Sequence, residues 1–358
     1  MSRARVRAWE GPRPRALAEK SSGLLSESLV LTTLIGTLVV ANKAGDTVSF
    51  IDLDSGREAA RVAVGRAPHE LAVSPDGRTV LVGEYGPESA HGSSVAILDL
   101  ASASVVGRID VGPNSRPHSV AFLPGGSRAV VTLQDSDALA VLDLASRAVV
   151  RTIATGGRES HMVRLSPDGR RAYVTSRLGE GTLSIIDLEG GSPTRVLETG
   201  AGAEGLAVTP DGREVWVLDR EAGTISIVDT VRAVVVERIS SRMQLNRVAI
   251  SGAGEAVITN GTSGEALVQY VNLFDVRSRT KRKELPLKGG QPGEGAFGIW
   301  IHDRTAFISD TDGGRVLAYD LDEWGEPRVL ISGLEKERPD GMGWSPRLVS
   351  GSTRTGPE

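Results

Sequence analysis

Three observations predict an all-β fold, a seven-bladed β-propeller with four-stranded blades. The first is a strand ending in an apolar residue followed by aspartate, which recurs at Asp52, Asp99, Asp143, Asp187, Asp229, Asp275 and Asp320. The intervals between these aspartates are 47, 44, 44, 42, 46 and 45 residues. The second is that each copy contains four short strand-like runs. The third is that the first copy lacks its first strand, whereas the last copy of that first strand has no second strand after it. A repeat of this length with four strands is typical of a propeller blade.

The third copy illustrates the four runs, which we label strands a to d. They lie at Ser119–Leu123, Ala129–Leu133, Ala138–Leu142 and Val149–Ile153. Short runs of apolar and β-branched residues between turn residues predict β-strands. Pro-Asp-Gly joins strands a and b in several copies, and we expect its glycines, Gly77, Gly169 and Gly212, to take positive φ. We expect the repeated aspartates to accept backbone N–H bonds in the turns that follow strand c.

The first and last copies are incomplete in complementary ways. Strand b of the first copy, Leu38–Ala41, has no strand a directly before it, and the last strand a, Met342–Ser345, has no strand b after it. We therefore expect Met342–Ser345 to join the first blade and close the ring, which removes open sheet edges. The predicted organisation is a disordered N-terminal extension over residues 1–27, one propeller over residues 28–350 and a flexible tail over residues 351–358.

Composition excludes several classes of function. The 41 basic and 45 acidic residues give a net charge of −4, without the basic excess of a dedicated nucleic-acid-binding protein. The absence of cysteine excludes disulfides, thiolate metal sites and cysteine nucleophiles. No apolar run reaches the roughly 18–20 residues of a membrane span. We expect a monomer that has no membrane span and does not bind nucleic acid.

An apolar stretch, LVLTTLIGTLVVA at Leu29–Ala41, has two interpretations. It follows basic residues and could be the apolar region of a signal peptide that ends near Ala41. It could also form buried strands at the edge of the fold. We favour strands, because Gly36–Leu53 is itself a repeat copy that cleavage at Ala41 would cut in half.

Several copies resemble the YVTN-type repeats of YncE-like seven-bladed propellers. The segments are TLVVANKAGDTVSFIDLDSG, AYVTSRLGEGTLSIIDL and LAVTPDGREVWVLDREAGTISIVD, and the resemblance covers roughly Gly36 to Pro346. It implies a binding protein of bacterial type, and similar propellers are often exported to the periplasm. The sixth copy departs from the pattern, because Ser251–Gly254 reads SGAG where other copies read SPDG.

One set of aligned positions places unusual residues together. Strand a is innermost in a propeller, and two residues before its first apolar position the seven copies carry His69, His118, His161, Glu204, Asn246, Phe297 and Asp340. These residues should form one ring at the mouth of the central channel. We call them the ring residues.

A second set follows strand b, which ends at the same face of the propeller. Its members are Lys43, Tyr85, Gln134, Arg177, Arg220, Gly261 and Thr311. Arginine presents a planar fork that suits carboxylate and phosphate groups, although solvated loop ends and ion pairs between blades are also common roles. We expect the following residues to bind a small molecule, anionic or metal-associated, or a protein partner at the mouth: Lys43, Tyr85, Arg177, Arg220 and Asp340.

The histidines leave three roles open. A divalent transition metal could be held by His69, His118, His161 and Glu204, because such ions accept imidazole and carboxylate ligands. Alternatively, His118 or His161 could act as a general acid or base, as in a lactonase or cyclase. The segment SHMVRLSPDGRRAYVTSRLGEG from Ser160 resembles the phosphogluconolactonase-type propellers. The third possibility is a structural role in which the imidazoles hydrogen-bond loop carbonyls.

Overall fold

The computed structural model describes residues 34–189, 195–241, 244–260, 269–287 and 296–351. Their strands form seven four-stranded antiparallel sheets, which confirms the predicted seven-bladed propeller. The predicted extension at residues 1–27, residues 28–33 and all but the first residue of the predicted tail lie outside the described residues. No helix in the described part of the chain is long and apolar enough to cross a membrane.

The blades follow one another in chain order, except that blade 1 combines the first three strands with the last one. Blade 1 comprises β1 (Thr37–Asn42), β2 (Thr47–Asp52), β3 (Arg57–Ala63) and β28 (Pro339–Ser345), and blade 2 comprises β4 (Pro68–Val73), β5 (Thr79–Glu84), β6 (Ser94–Asp99) and β7 (Ser104–Asp110). Blade 3 comprises β8 (Pro117–Phe122), β9 (Arg128–Leu133), β10 (Ala138–Asp143) and β11 (Ala148–Ala154). Blade 4 comprises β12 (Arg158–Leu165), β13 (Arg171–Leu178), β14 (Thr182–Asp187) and β15 (Arg195–Glu198). Blade 5 comprises β16 (Ala203–Val208), β17 (Glu214–Asp219), β18 (Thr224–Asp229) and β19 (Val234–Ser240). Blade 6 comprises β20 (Leu245–Ile250), β21 (Glu255–Asn260), β22 (Tyr270–Asp275) and β23 (Thr280–Pro286). Blade 7 comprises β24 (Ala296–His302), β25 (Thr305–Asp310), β26 (Arg315–Asp320) and β27 (Arg328–Ile331).

The ring closes through β28, as the incomplete copies predict. This strand pairs antiparallel with β1, with Thr37 opposite Ser345 and Val40 opposite Met342. Side chains reinforce the closure, because the Ser345 hydroxyl donates to the Gly77 carbonyl at 2.8 Å and the Thr37 hydroxyl donates to the Arg347 carbonyl at 2.7 Å. Blade 1 is therefore held both within its sheet and to blade 2.

The repeated aspartates and glycines shape the turns. Each of the seven aspartates at the end of strand c accepts at least one backbone N–H from the turn that follows, and Asp143 Oδ1 accepts from Ser146 N at 2.9 Å. In the Pro-Asp-Gly turns, the glycines Gly77, Gly169 and Gly212 have φ values of 74°, 70° and 71°. These residues belong to the scaffold.

The core lies between neighbouring blades. Strands b and c are buried on both faces, so they appear in the sequence as nearly continuous apolar runs. Between blades 2 and 3, Leu81, Val95, Val131 and Ala140 are fully buried in one cluster. The outer strands are far more exposed, and β3 exposes every second residue. This packing fixes the innermost strands around the channel.

Every innermost strand carries a β-bulge near its start, with two residues opposite one on the neighbouring strand. In blade 2, Pro68 pairs with Glu84 and Leu71 with Val82, so His69 and Glu70 both oppose Gly83. A bulge interrupts the alternation of a strand and re-aims its side chains. The ring residue and the residue after it can therefore both face the channel.

Threonine hydroxyls satisfy the bulges in several blades. In blade 3 the Ser119 amide donates to Thr132 Oγ1 at 2.9 Å, and this hydroxyl donates to the His161 carbonyl of blade 4 at 2.6 Å. In blade 4 the Met162 amide donates to Thr175 Oγ1 at 3.1 Å. These contacts link the innermost strands of adjacent blades and fix the ring residues.

Candidate functional site

The ring residues whose side chains are described come together in the channel. His69, His118, His161, Glu204, Asn246 and Asp340 are all buried there. The three imidazoles follow one another in chain order with their planes tilted, and the ring centroids are 4.3 Å apart between His69 and His118 and 3.8 Å apart between His118 and His161. The seventh ring position, Phe297, has no described side chain. The residues that the repeat alignment selected therefore lie together in the channel.

His161 and Glu204 form a buried pair. His161 Nε2 lies 2.9 Å from Glu204 Oε1, and Arg177 Nε lies 3.2 Å from Glu204 Oε2. Burial lowers the pKa of His161 to about 4 although Glu204 opposes this shift. Burial would raise the pKa of Glu204, but His161 and the guanidinium groups of Arg247 and Arg177 hold it well below its usual range. At neutral pH the pair is a neutral imidazole beside an ionised carboxylate.

Arg247 crosses the channel and joins carboxylates from two other blades. Its Nη1 donates to Glu204 Oε1 at 2.8 Å, and its Nε donates to Glu70 Oε1 at 3.0 Å. The three residues belong to blades 6, 5 and 2, and Arg247 is only 3% exposed. Arg247 and Glu70 each follow a ring residue in a bulge, and neither was predicted from the sequence.

His69 and Asp340 form a second close contact on the opposite side of the ring. His69 Nδ1 lies 3.0 Å from Asp340 Oδ2. Between the two pairs stands His118, which is fully buried and has no hydrogen-bond partner for either ring nitrogen among the described residues. Burial and the two neighbouring histidines place the pKa of His118 well below its usual value.

A cavity of about 350 Å³ opens above these residues at the channel mouth. All five predicted ligand-binding residues line it, namely Lys43, Tyr85, Arg177, Arg220 and Asp340. Of the predicted metal ligands and catalytic residues, His69, His161 and Glu204 line the cavity, whereas His118 lies behind them. The cavity is also lined by charged residues that were not predicted from the sequence: Glu88, Arg116, Arg247 and Arg338.

The side chains of Tyr85, Gln134 and Arg116 contact one another at one wall of the cavity. The Tyr85 hydroxyl donates to Gln134 Oε1 at 3.1 Å, and the Arg116 guanidinium carbon lies 4.2 Å from the centroid of the Tyr85 ring. Burial raises the pKa of Tyr85 to about 12, so the phenol is neutral at physiological pH. Arg116 is also paired with Glu88 from the insertion in blade 2. The same insertion carries His91, which pairs with Asp135 of blade 3 instead of lining the cavity.

Two of the cationic residues that were not predicted, Arg116 and Arg338, share a position in the repeat. Arg116 and Arg338 lie two residues before the ring residues His118 and Asp340, with φ values of 54° and 52°. Ala67, two residues before His69, has a similar φ of 48°. Extending the alignment by two residues at the start of strand a would have placed Arg116 and Arg338 at the mouth.

The group of potential metal ligands that lie close together is not the predicted set of His69, His118, His161 and Glu204. Within the described residues, the ligand atoms of His69, Glu70 and Asp340 all lie within 4.8 Å of one another. Of the four predicted ligands, this group contains His69 alone. Glu204 is instead paired with His161, Arg177 and Arg247.

Comparison with protein families agrees with this architecture. The model of the YNCE-like beta-propeller family matches residues 125–305. The chain belongs to the YncE-like β-propeller family. Two relatives, both "Uncharacterized protein YncE", from Salmonella typhi and Salmonella typhimurium, are each 24% identical over 220 residues. These matches cover 60% of this YncE-like chain and 60% of each relative's length.

Solved structures share the fold of this YncE-like protein at low identity. A functionally unknown protein from Desulfotomaculum acetoxidans has a TM-score of 0.70 and 15% identity, covering 88% of this chain and 99% of that one. The hydrazine synthase of Kuenenia stuttgartiensis has a TM-score of 0.62 and 21% identity over 71% of this chain and 77% of that one. The dihydro-heme d1 dehydrogenase NirN has a TM-score of 0.60 and 20% identity over 86% of this chain and 75% of that one. These similarities concern the fold.

Proposed function

We propose that this protein binds a small organic anion in the cavity at the channel mouth. The observation that carries the proposal is the convergence of six cationic side chains on one cavity of about 350 Å³, against three carboxylates. The cations are Lys43, Arg116, Arg177, Arg220, Arg247 and Arg338, and the carboxylates are Glu88, Glu204 and Asp340. Several like charges directed at one concave site attract an anion and raise its local concentration.

The cations differ in how far the protein already neutralises them. Arg247 is buried and shared between two carboxylates, so its main role is structural. Lys43 contacts the Tyr85 ring, with Nζ 5.7 Å from the centroid, and forms no ion pair among the described residues. The Arg177 side chain is 32% exposed and uses its Nε toward Glu204. We therefore assign direct ligand contacts to Lys43 and Arg177.

The cavity restricts the size and class of ligand. Its volume lies at the lower end of the range of about 300–1,000 Å³ for small-molecule sites. Guanidinium groups favour planar carboxylates and phosphates, and the neighbouring neutral Tyr85 and His161 can hydrogen-bond polar groups of the ligand. A small carboxylate or phosphate ester fits these properties.

The test is a panel of carboxylates and phosphate esters, screened by thermal shift and then measured by calorimetry. A ligand present at 100 times its Kd should add about 2.7 kcal/mol to the free energy of unfolding. We expect Lys43→Met and Arg177→Met each to weaken binding at least tenfold, and added salt to weaken it in the parent protein. The matched control is Arg213→Met, because that arginine is 81% exposed and outside the cavity. Equal affinity in all three variants, or no response to the panel, would refute the proposal.

A second candidate is an enzyme that uses His161 as a general base. It is favoured by one observation, the neutral His161 that lines the cavity and is oriented by the ionised Glu204. A carboxylate that orients an imidazole is a common arrangement in acid–base catalysis. With Nε2 held by Glu204, the nitrogen that would accept the proton is His161 Nδ1, which lies 3.4 Å from Gln134 Oε1. An assay with a lactone panel tests this candidate, and activity retained in His161→Gln would exclude it.

A further inference from the structure

We propose that His69, Glu70 and Asp340 bind a divalent first-row transition-metal ion at the base of the cavity. The three residues come from the innermost strands of blades 1 and 2, which are neighbours around the channel. The bulge in β4 allows the consecutive residues His69 and Glu70 to face the same point. Asp340 occupies the equivalent bulge position in β28. No local sequence motif marks this site, because it is assembled from two ends of the chain.

The spacing of the donor atoms fits a shared ion. The ligand atoms of the three residues lie within 4.8 Å of one another. His69 Nδ1 and Asp340 Oδ2 are 3.0 Å apart, yet Nδ1 has no hydrogen-bond partner, so the imidazole is not directed at that oxygen as a donor. Two ligands around one ion with bonds near 2.1 Å lie about 3.4 Å apart at the tetrahedral angle and about 3.0 Å apart at right angles. The contact has the spacing of two adjacent ligands.

The second observation is that the three side chains are buried although some of their polar atoms have no hydrogen-bond partner among the described residues. The side chains of His69, Glu70 and Asp340 are only 9%, 10% and 2% exposed. Asp340 Oδ1 is buried and has no hydrogen-bond partner among the described residues. Burying an ionised carboxylate is costly unless its oxygens are paired. A bound cation would supply the missing partner for Asp340 and a lone-pair acceptor for His69 Nδ1.

Glu70 is held in place by groups outside the site. Its Oε1 accepts a hydrogen bond from Arg247 Nε and forms an ion pair with Arg247 Nη2, which leaves Oε2 for an ion. Gly341 makes room for this carboxylate, because a Cβ at that position would lie 2.9 Å from Glu70 Oε2 and 2.6 Å from the His69 carbonyl oxygen. A partner that fixes a ligating carboxylate is typical of metal sites.

The charges nearby limit which ions are suitable. Arg247 and Lys43 disfavour any cation, and the two carboxylates offset a divalent charge. The imidazole nitrogen favours Zn²⁺ or Co²⁺ over the hard ions Mg²⁺ and Ca²⁺, which prefer all-oxygen sites. Because His69 and Asp340 line the cavity, the ion would have an open coordination position toward it. The proposal concerns the metal alone and does not depend on the proposed anion binding.

The experiment uses the full chain without a histidine tag, stripped with a chelator and titrated with Co²⁺. We expect one ion per chain, with d–d absorption bands in the visible spectrum, and competition by Zn²⁺. Asp340→Asn and His69→Gln should each lower the affinity at least tenfold, whereas His302→Gln, at the far end of the innermost strand of blade 7, should bind as the parent does. Circular dichroism and the Tm confirm that each variant is folded.

Two results would overturn the proposal. One is a Co²⁺ stoichiometry well below one, or affinities in Asp340→Asn and His69→Gln equal to that of the parent. The other is loss of the ion in His161→Gln with retention in Asp340→Asn, which would favour the predicted set His69, His118, His161 and Glu204. Anion binding is measured in the presence of chelator, so a failure of one proposal is distinguishable from a failure of the other.

Discussion

Replacing Arg247 by methionine should destabilise the propeller strongly. The guanidinium of Arg247 joins Glu70 and Glu204 across the channel, and methionine keeps much of its stem while removing the charge. The variant leaves Glu70 without its hydrogen bond from Arg247 Nε at 3.0 Å and without its ion-pair contact with Arg247 Nη2 at 2.9 Å. Glu204 loses one contact of 2.8 Å but keeps His161 and Arg177. The main cost therefore arises at Glu70.

The magnitude follows from this burial. Removing one member of a buried ion pair costs about 3–5 kcal/mol, because the remaining charge is left uncompensated. Exposed pairs contribute only about 0–1 kcal/mol. The matched control is Arg170→Met, whose guanidinium lies 3.5 Å from Glu189, with the two side chains 67% and 69% exposed. We expect Arg247→Met to lower the free energy of unfolding by about 2 kcal/mol or more beyond the effect of Arg170→Met.

The assay is urea unfolding at neutral pH in the presence of chelator, followed by tryptophan fluorescence. The double variant Glu70→Gln with Arg247→Met should recover part of the stability, because it removes the uncompensated carboxylate. If Arg247→Met costs no more than Arg170→Met, the cross-channel network does not stabilise the fold. If the double variant is as unstable as the sum of the single variants, the two residues are not coupled.

Three further predictions concern the same channel. Burial lowers the pKa of His161 to about 4, below the value near 6.5 of an exposed imidazole. The unfolded state therefore binds more protons between these values, so the free energy of unfolding should fall by up to about 3 kcal/mol as the pH drops through this window, and less in His161→Gln. Thr132→Val should cost about 1–3 kcal/mol, because the buried Ser119 amide loses its acceptor. Gly341→Ala should cost about 1–3 kcal/mol, because its Cβ would lie 2.8 Å from the Glu70 Cα.

Urea unfolding curves measure all three effects. A stability that does not change with pH in this window would contradict the assignment of a neutral, buried His161. For the glycine, the control is Gly252→Ala, where a Cβ would meet no atom within 4 Å. Equal costs at both glycines would contradict the close approach of Gly341 to blade 2.

The sequence predicted the fold and most of the mouth, because both depend on the repeat. Aligned copies place equivalent residues at equivalent points of a ring, so His69, His161 and Asp340 were found without any contact information. The alternation of a strand then suggests that the residue after each ring residue points away from the channel. The bulges invert this expectation for Glu70 and Arg247.

The remaining site residues depend on contacts that no repeat encodes. Glu88 lies in an insertion present in blade 2, and its position over Arg116 depends on how that insertion folds. Glu204 is paired with both His161 and Arg247, and Arg247 comes from a third blade. Such contacts form across the channel between residues far apart in sequence, so one chain without a structure does not reveal them.

The closing strand has a consequence for the order in which the molecule assembles. Six blades are built from strands that follow one another, so each can form soon after its own residues leave the ribosome. Blade 1 cannot, because Thr37 bonds to a residue 310 positions later in the chain. Contacts of such long sequence separation slow folding, since the loop entropy must be lost before they form. We therefore expect the other three strands of blade 1 to keep an unpaired inner edge until β28 has been synthesised, and the pairing of β28 then closes the ring and brings Asp340 beside His69.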